Sequence, residues 1–261
     1  MTAELIDIFR YPVKGLSAEK LQRAALTIGQ GLPHDRRFAI ARGAIDFDAA
    51  NPTWLRKTNF YMLMRNESLA RLRTTFDDQS GVLTIFQDGS EIARADITTP
   101  SGRANMEQFF SEFLGDEATD GAPRILEAPG HMFGDASRKE GASSDKYVSL
   151  IGLASIGALQ RHVGTPVDPI RFRANLYIDG TAAWEEFSWV GKTIDIGKAR
   201  LRVLSPTTRC AATQVNPATA ERDLNLPKTL QQAFGHVHMG VYAEVMDGGE
   251  IKRGDSISLP T

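Results

Sequence analysis

Between residues 69 and 97 three short alternating stretches, 69–76, 82–87 and 91–97, are separated only by DDQSG and QDGS. Apolar residues at every second position put one face of an extended chain inside, and Asp, Ser and Gly clusters reverse direction within a few residues. The same texture recurs at 5–10, where Tyr11-Pro12 stops the strand, and at 21–28, 36–41 and 147–151. Residues 192–204 alternate around Gly197-Lys198, and 237–246 and 250–259 flank Asp247-Gly248-Gly249, so both read as hairpins. Many short strands at such spacing argue for closed barrels. The tract 44–57 has no clean period and reads as loop, and no repeat of fixed length is present.

Two stretches change period. Met106, Phe109, Phe110, Phe113 and Leu114 recur at three and four, which predicts a helix over 101–114 stopped by Gly115. Ser155 stands before or within the first turn of a second helix with Ile156, Leu159 and Val163 on one side. It serves either as a cap or as part of a helix start that receives an anion. The fold class is therefore mixed α/β and predominantly β. Residues 116–123 turn polar with Gly and Pro, which sets a boundary between a first domain over 1–118 and a second over 119–261. The polar tract 134–145 reads as a mobile linker.

A formal charge of -2 over 261 residues gives no reason to expect a nucleic acid or an anionic membrane as partner. The first residues lack a basic segment followed by an apolar run, and nowhere are there the ~20 apolar residues of a membrane helix. One cysteine excludes an internal disulfide and suits a reducing compartment, so a cytoplasmic protein is expected.

That cysteine lies in SPTTRCAATQVNP, residues 205–217. A thiolate is a soft ligand and a strong nucleophile, which makes Cys210, with Arg209 beside it, the first residue to test for chemistry. Upstream, RFRANLYIDG (171–180) reads as a strand with Arg171 and Arg173 on one face. Other signals carry less. Gly191-Lys192-Thr193 spells the end of a phosphate loop, but Glu186 occupies the place of its first glycine, and Gly29 and Gly31 are followed by His34 where a dinucleotide fingerprint needs glycine. His236 and His238 share a strand face and, with Cys210, have the residue types of a zinc site. Trp184 and Trp189 read as packing residues.

The order RFRAN, AWEE, SPTTRC, GVYAEV and GEIKRGDSI resembles the MOSC domain, named for the C-terminal domain of molybdenum cofactor sulfurase. IFRYPVKGLSAEKL (8–21) and GLPHDRRFAIA (31–41) resemble the β-barrel domain that precedes it in this family, whose members include bacterial MOSC proteins and the mitochondrial amidoxime reducing component. The resemblance implies an N-terminal β-barrel domain followed by a MOSC β-barrel domain with a few helices. It also implies a molybdenum-molybdopterin cofactor with Cys210 as catalytic residue and molybdenum ligand. Lys14, Gly15, Arg36, Arg173, Asn175, Thr208 and Arg209 fall at cofactor-contact positions, and the helix start at Ser155 is added as an anion site. Gly15 departs from the serine often found there, and Ser17 is the nearest hydroxyl to replace it.

The activity so implied is reduction of N-hydroxylated or other oxygenated small molecules by oxygen-atom transfer. With no cysteine cluster for an iron–sulfur centre, electrons would come from a separate ferredoxin- or cytochrome b5-like donor with its reductase. The alternative is a sulfur carrier with a persulfide on Cys210. That role attaches to MOSC domains through the sulfurase fusion, whose other half uses pyridoxal phosphate, and no lysine-centred pyridoxal site is evident here. A third reading is cofactor storage without turnover.

Overall fold

The computed structural model describes residues 3–43, 45–118, 121–136, 142–143 and 145–259. Seven strands close into a barrel in the order Leu176–Asp179, Val148–Gly152, His238–Asp247, Ala199–Thr208, Thr193–Ile196, Ser256–Ser258 and Ala3–Arg10, the last pairing back onto the first. Leu150 stands opposite Leu176 in the parallel pair, and Ile8 opposite Leu176 in the antiparallel closure. The inward positions Leu5, Ile8, Val148, Leu150, Leu201, Val203 and Val241 fill the interior with Trp189. Helices α2 (Leu153–Val163) and α3 (Leu226–Phe234) cover the outside, burying Ile156, Leu159 and Leu230 against Phe172 and Tyr177.

Beyond Glu19–Leu21, which pairs with Ala3–Arg10, and Arg23–Leu26, the N-terminal strands form two three-stranded sheets. One joins Val13–Lys14, Phe38–Arg42 and Pro123–Glu127, and the other joins Arg73–Phe76, Val82–Gln87 and Ser90–Asp96. Helix α1 (Pro100–Leu114) packs Met106, Phe110 and Leu114 onto their shared core, as its period predicts. Thr99 caps it by accepting from the Gly102 N–H at 3.1 Å, and Pro100 starts it where no N–H is needed. Replacing Thr99 with alanine should cost about 1 kcal/mol, read as a lower urea midpoint with unchanged slope.

Four sequence expectations give way. Residues 21–28 are not one strand: Glu19–Leu21 and Arg23–Leu26 are separate, and 69–76 begins as the 3-10 helix Glu67–Arg71. The hairpin expected around Asp247-Gly248-Gly249 does not form, because Gly249–Lys252 pairs with Arg23–Leu26 instead. Two glycines permit that departure: a Cβ on Gly248 would stand 2.8 Å from the Leu26 carbonyl oxygen, and one on Gly249 2.5 Å from that of Lys198. The tract 134–145 begins as a packed segment, with Gly134 and Asp135 bonded to Lys14, while 137–141 and 144 lie outside the described residues.

Candidate functional site

The strand Ala199–Thr208 runs past the barrel rim, where Thr208 stands opposite His238 and the Arg209 N–H donates to the Val237 carbonyl at 2.8 Å. The chain then turns into the 3-10 helix Ala211–Gln214, which Cys210 precedes in an extended conformation. The Cys210 carbonyl accepts from the Thr213 N–H at 3.1 Å and from Thr213 Oγ1 at 3.0 Å, so the backbone of Cys210 is held while its side chain caps nothing. The thiol is half-buried and makes no hydrogen bond among the described residues. It faces a cavity of about 370 Å³ in which Arg36, Arg173, Asn175, Thr208 and Arg209 are brought together with it. Trp54 and Lys57 line the same space, so both halves of the chain contribute walls, a placement common for cofactor sites.

Arg36 and Arg173 share a platform. Tyr11 is fully buried, with the Arg173 guanidinium 4.3 Å and that of Arg36 4.8 Å from its ring centroid. Its hydroxyl donates to the Ala174 carbonyl at 3.3 Å, and burial pushes its pKa up to about 12 against the pull of Arg173 and Arg36. Arg36 donates to the Asp35 carboxylate and, through Nη2, to the Arg173 carbonyl at 3.0 Å. Arg173 Nη1 donates to the Leu16 carbonyl at 2.7 Å, while its Nε and Nη2 have no hydrogen-bond partner among the described residues. Both arginines take a left-handed backbone with φ of 51°, unusual outside glycine, which turns their side chains out of strand register.

Lys14 stands behind this pair and does not line the cavity. Its Nζ donates to the carbonyls of Phe133 at 3.0 Å and Gly134 at 3.2 Å and to the Asp135 carboxylate, which does line it. Burial alone would raise the Asp135 carboxyl, but Lys14, Arg36 and Arg173 overcome that and hold it well below the usual carboxylate range.

Other candidate residues serve the walls. The Arg209 guanidinium lies over the Phe172 ring and spends its donors on the Met239 carbonyl at 2.9 and 2.5 Å and the Phe172 carbonyl at 2.7 Å. Asn175 is bonded to neighbouring strands, Oδ1 accepting from Ser149 and Nδ2 donating to the Phe9 carbonyl. Thr208 is exposed, with Oγ1 3.3 Å from His238 Nδ1. Ser155 is neither a cap nor a cavity residue: Gly152 caps α2, and the Ser155 hydroxyl donates to Glu186 Oε2 and accepts from the Trp184 N–H, both at 2.8 Å. Gly15 lines a neighbouring apolar cleft, with φ of 89° and a Cβ position 2.7 Å from the Tyr61 carbonyl oxygen, so a serine there would be strained. Ser17 does not stand in for it, because its Oγ accepts the Thr74 N–H at 2.8 Å.

Arg171 corrects a further expectation. Residues Pro169–Phe172 form a 3-10 helix capped by Asp168, not a strand, since Pro169 favours a helix start and the Asp168 carboxylate accepts the Ile170 N–H at 2.9 Å. Arg171 also lines the cavity, with its guanidinium donating to Asp223 at 2.7 Å and to the Gln214 carbonyl at 3.1 Å. His236 stacks on His238 among Trp184, Phe187 and Phe234, and no three metal-ligating residues come together among the described residues. Trp189 is buried in the barrel core and Trp184 packs half-buried, as expected.

Sequence reasoning passed over Tyr11, Asp135, Trp54, Lys57 and Thr207. Thr207 is buried against the cavity, and its Oγ1 has no hydrogen-bond partner among the described residues. Strand alternation puts neighbouring residues on opposite faces, so a Thr-Thr pair at the rim was a signal that one hydroxyl points inward.

The MOSC domain model matches residues 129–258, and the model of the MOSC N-terminal beta barrel domain matches residues 2–126. Molybdenum cofactor sulfurase of Drosophila yakuba is 26% identical over 254 residues, covering 92% of this chain and 31% of the sulfurase. The Bos taurus sulfurase is 23% identical over 271 residues, covering 91% of this chain and 30% of its own length. The chain thus spans under a third of these relatives. Among solved structures, the YUAD protein from Bacillus subtilis aligns with a TM-score of 0.45 at 14% identity, covering 98% of this chain and 94% of that one. YiiM from Geobacillus stearothermophilus aligns with a TM-score of 0.35 at 22% identity over 44% of this chain and 54% of its own. Among the described residues no helix is long and apolar enough to cross a membrane.

Proposed function

The chain belongs to the MOSC family, and from that premise we propose that it is a molybdenum-cofactor-binding oxidoreductase in which Cys210 ligates the metal. The observation that carries this reading is the uncommitted, half-buried thiol opening onto the same cavity as Arg36 and Arg173. The residues present fit the group. A thiolate is the soft donor that a molybdenum centre takes, and the unspent Nε and Nη2 of Arg173 suit the phosphate tail of a pterin. The orphan Thr207 Oγ1 adds a polar contact deeper in the cavity.

When bound, a molybdenum-molybdopterin group supplies two-electron oxygen-atom transfer, the hard step of the reaction. The chain's own residues position it. Cys210, fixed through its carbonyl by Thr213, presents its sulfur from a held backbone. Arg36 and Arg173, oriented over Tyr11, hold anionic oxygen without moving. Arg209 and Asn175 fasten the walls, and Thr208 stands at the mouth. Substrates would be N-hydroxylated or other oxygenated small molecules, with electrons from a separate ferredoxin- or cytochrome b5-like donor, in the cytoplasm.

A sulfur-carrier role is favoured by one finding, the similarity to proteins named molybdenum cofactor sulfurase. On that reading Cys210 carries a persulfide. Metal analysis with pterin fluorescence separates the two on protein made in a cofactor-competent host. Equimolar molybdenum and molybdopterin is the expected result, together with reduction of a hydroxylamine by a supplied donor. A labile sulfane sulfur on Cys210 with no retained metal would replace the reductase reading with the carrier.

A further inference from the structure

We propose that the Asp135 carboxylate is a built-in occupant of an anion cradle, and that a phosphate-bearing ligand enters by displacing it. The inference rests on the cofactor reading above for the identity of the natural ligand, and on geometry alone for the displacement. Lys14, Arg36 and Arg173 come from three separate segments; Lys14 pairs with Asp135, the one carboxylate of the cavity wall, and Arg36 and Arg173 line that same wall. Asp35 already pairs with Arg36, so three cations share two carboxylates, and Arg173 has no carboxylate partner among the described residues. Such a surplus favours an anion with more charge and more acceptor oxygens than one carboxylate offers.

The members of the pair differ in freedom. The Lys14 side chain is 4% exposed and the Asp135 side chain 50%. Asp135 sits on irregular backbone after Gly134, whereas Lys14 lies in a strand paired to Phe38–Arg42. The aspartate can therefore turn into the cavity mouth while the lysine stays. After that turn Lys14 keeps the Phe133 and Gly134 carbonyls as acceptors, and its third N–H is released to the incoming phosphate.

Titration calorimetry of the full chain with inorganic pyrophosphate tests this. If the aspartate-occupied state dominates by about ten to one, Asp135→Asn should bind roughly tenfold more tightly than wild type. Lys14→Met in the Asp135→Asn background should remove the gain. Equal or weaker binding by Asp135→Asn would make Asp135 a ligand-holding residue and overturn the proposal, as would an absence of pyrophosphate binding to both proteins. Should the variant fail to fold, the wild-type chain with carbon-13 in its aspartates supplies the second measurement. The Asp135 carboxyl resonance should move to the position of a solvated carboxylate at saturation, and a resonance that stays put rejects displacement. Pyrophosphate carries no molybdenum, so a chain that binds it by displacement but retains no metal keeps this inference and loses the proposed activity.

Discussion

Exchange of Cys210 for alanine should reduce molybdenum retention to background while leaving the unfolding midpoint close to wild type. The two halves of that expectation have separate causes. The thiol is half-buried and makes no hydrogen bond among the described residues, so its truncation removes little packing and orphans no donor or acceptor. Substitutions away from such features usually fall within about 0.5 kcal/mol. The turn it occupies is held by its carbonyl, which alanine retains. The soft ligand is lost outright, and the sequence contains no second cysteine to replace it. Pterin content should fall less steeply than metal, because Arg36 and Arg173 remain. Serine at the same position offers a hard oxygen and should not restore the metal. Elemental analysis, pterin fluorescence and urea denaturation on the same preparations check all four statements. Full metal content in Cys210→Ala would remove this residue from the ligand set.

Local patterns were the legible part of the chain. The 101–114 helix and the turn at Gly197-Lys198 form where the sequence places them, because period and turn chemistry act within a few residues. The strand after Gly249 was illegible for the opposite reason. Its partner is Arg23–Leu26, more than two hundred positions earlier, and nothing in its own alternation names that address. The site divides the same way. Cys210, Arg36 and Arg173 line one cavity, and what each side chain is bonded to lay outside the reach of the resemblance. Arg209 matched a contact position yet is consumed by two carbonyls, while Asp135, inside a tract read as linker, pairs directly with Lys14. Tyr11 looked like the end of a strand and proves to be the surface on which both guanidiniums rest. Hydrogen-bond commitment and the residue beneath a cation are tertiary facts, and periodicity does not encode them.

Asn175→Leu should be the most destabilising of the site substitutions, with a loss of about 4 kcal/mol. Asn175 is 1% exposed and stands where three barrel strands meet. Its Oδ1 accepts from the Ser149 N–H at 3.0 Å and the Ser149 hydroxyl at 2.8 Å, and its Nδ2 donates to the Phe9 carbonyl at 3.1 Å. Leucine has the same number of heavy atoms and the same branching at Cγ but satisfies none of these groups, and each buried polar group left unpaired costs about 1–3 kcal/mol. Against a typical total of about 5–15 kcal/mol this is a large fraction, visible as a much lower urea midpoint. Asn175→Asp is the informative control. An ionised carboxylate keeps both acceptor contacts with Ser149 but presents no donor to Phe9, whereas the protonated acid restores that donor. Burial raises a carboxyl above its unfolded value of about 3.9. The folded state then binds the extra proton, so the stability recovered by Asn175→Asp is fully present below the unfolded value and is lost as pH rises through the folded one. A wild-type midpoint for Asn175→Leu would mean that these strands close without the amide, and that the side chain is kept for a ligand instead of for the barrel.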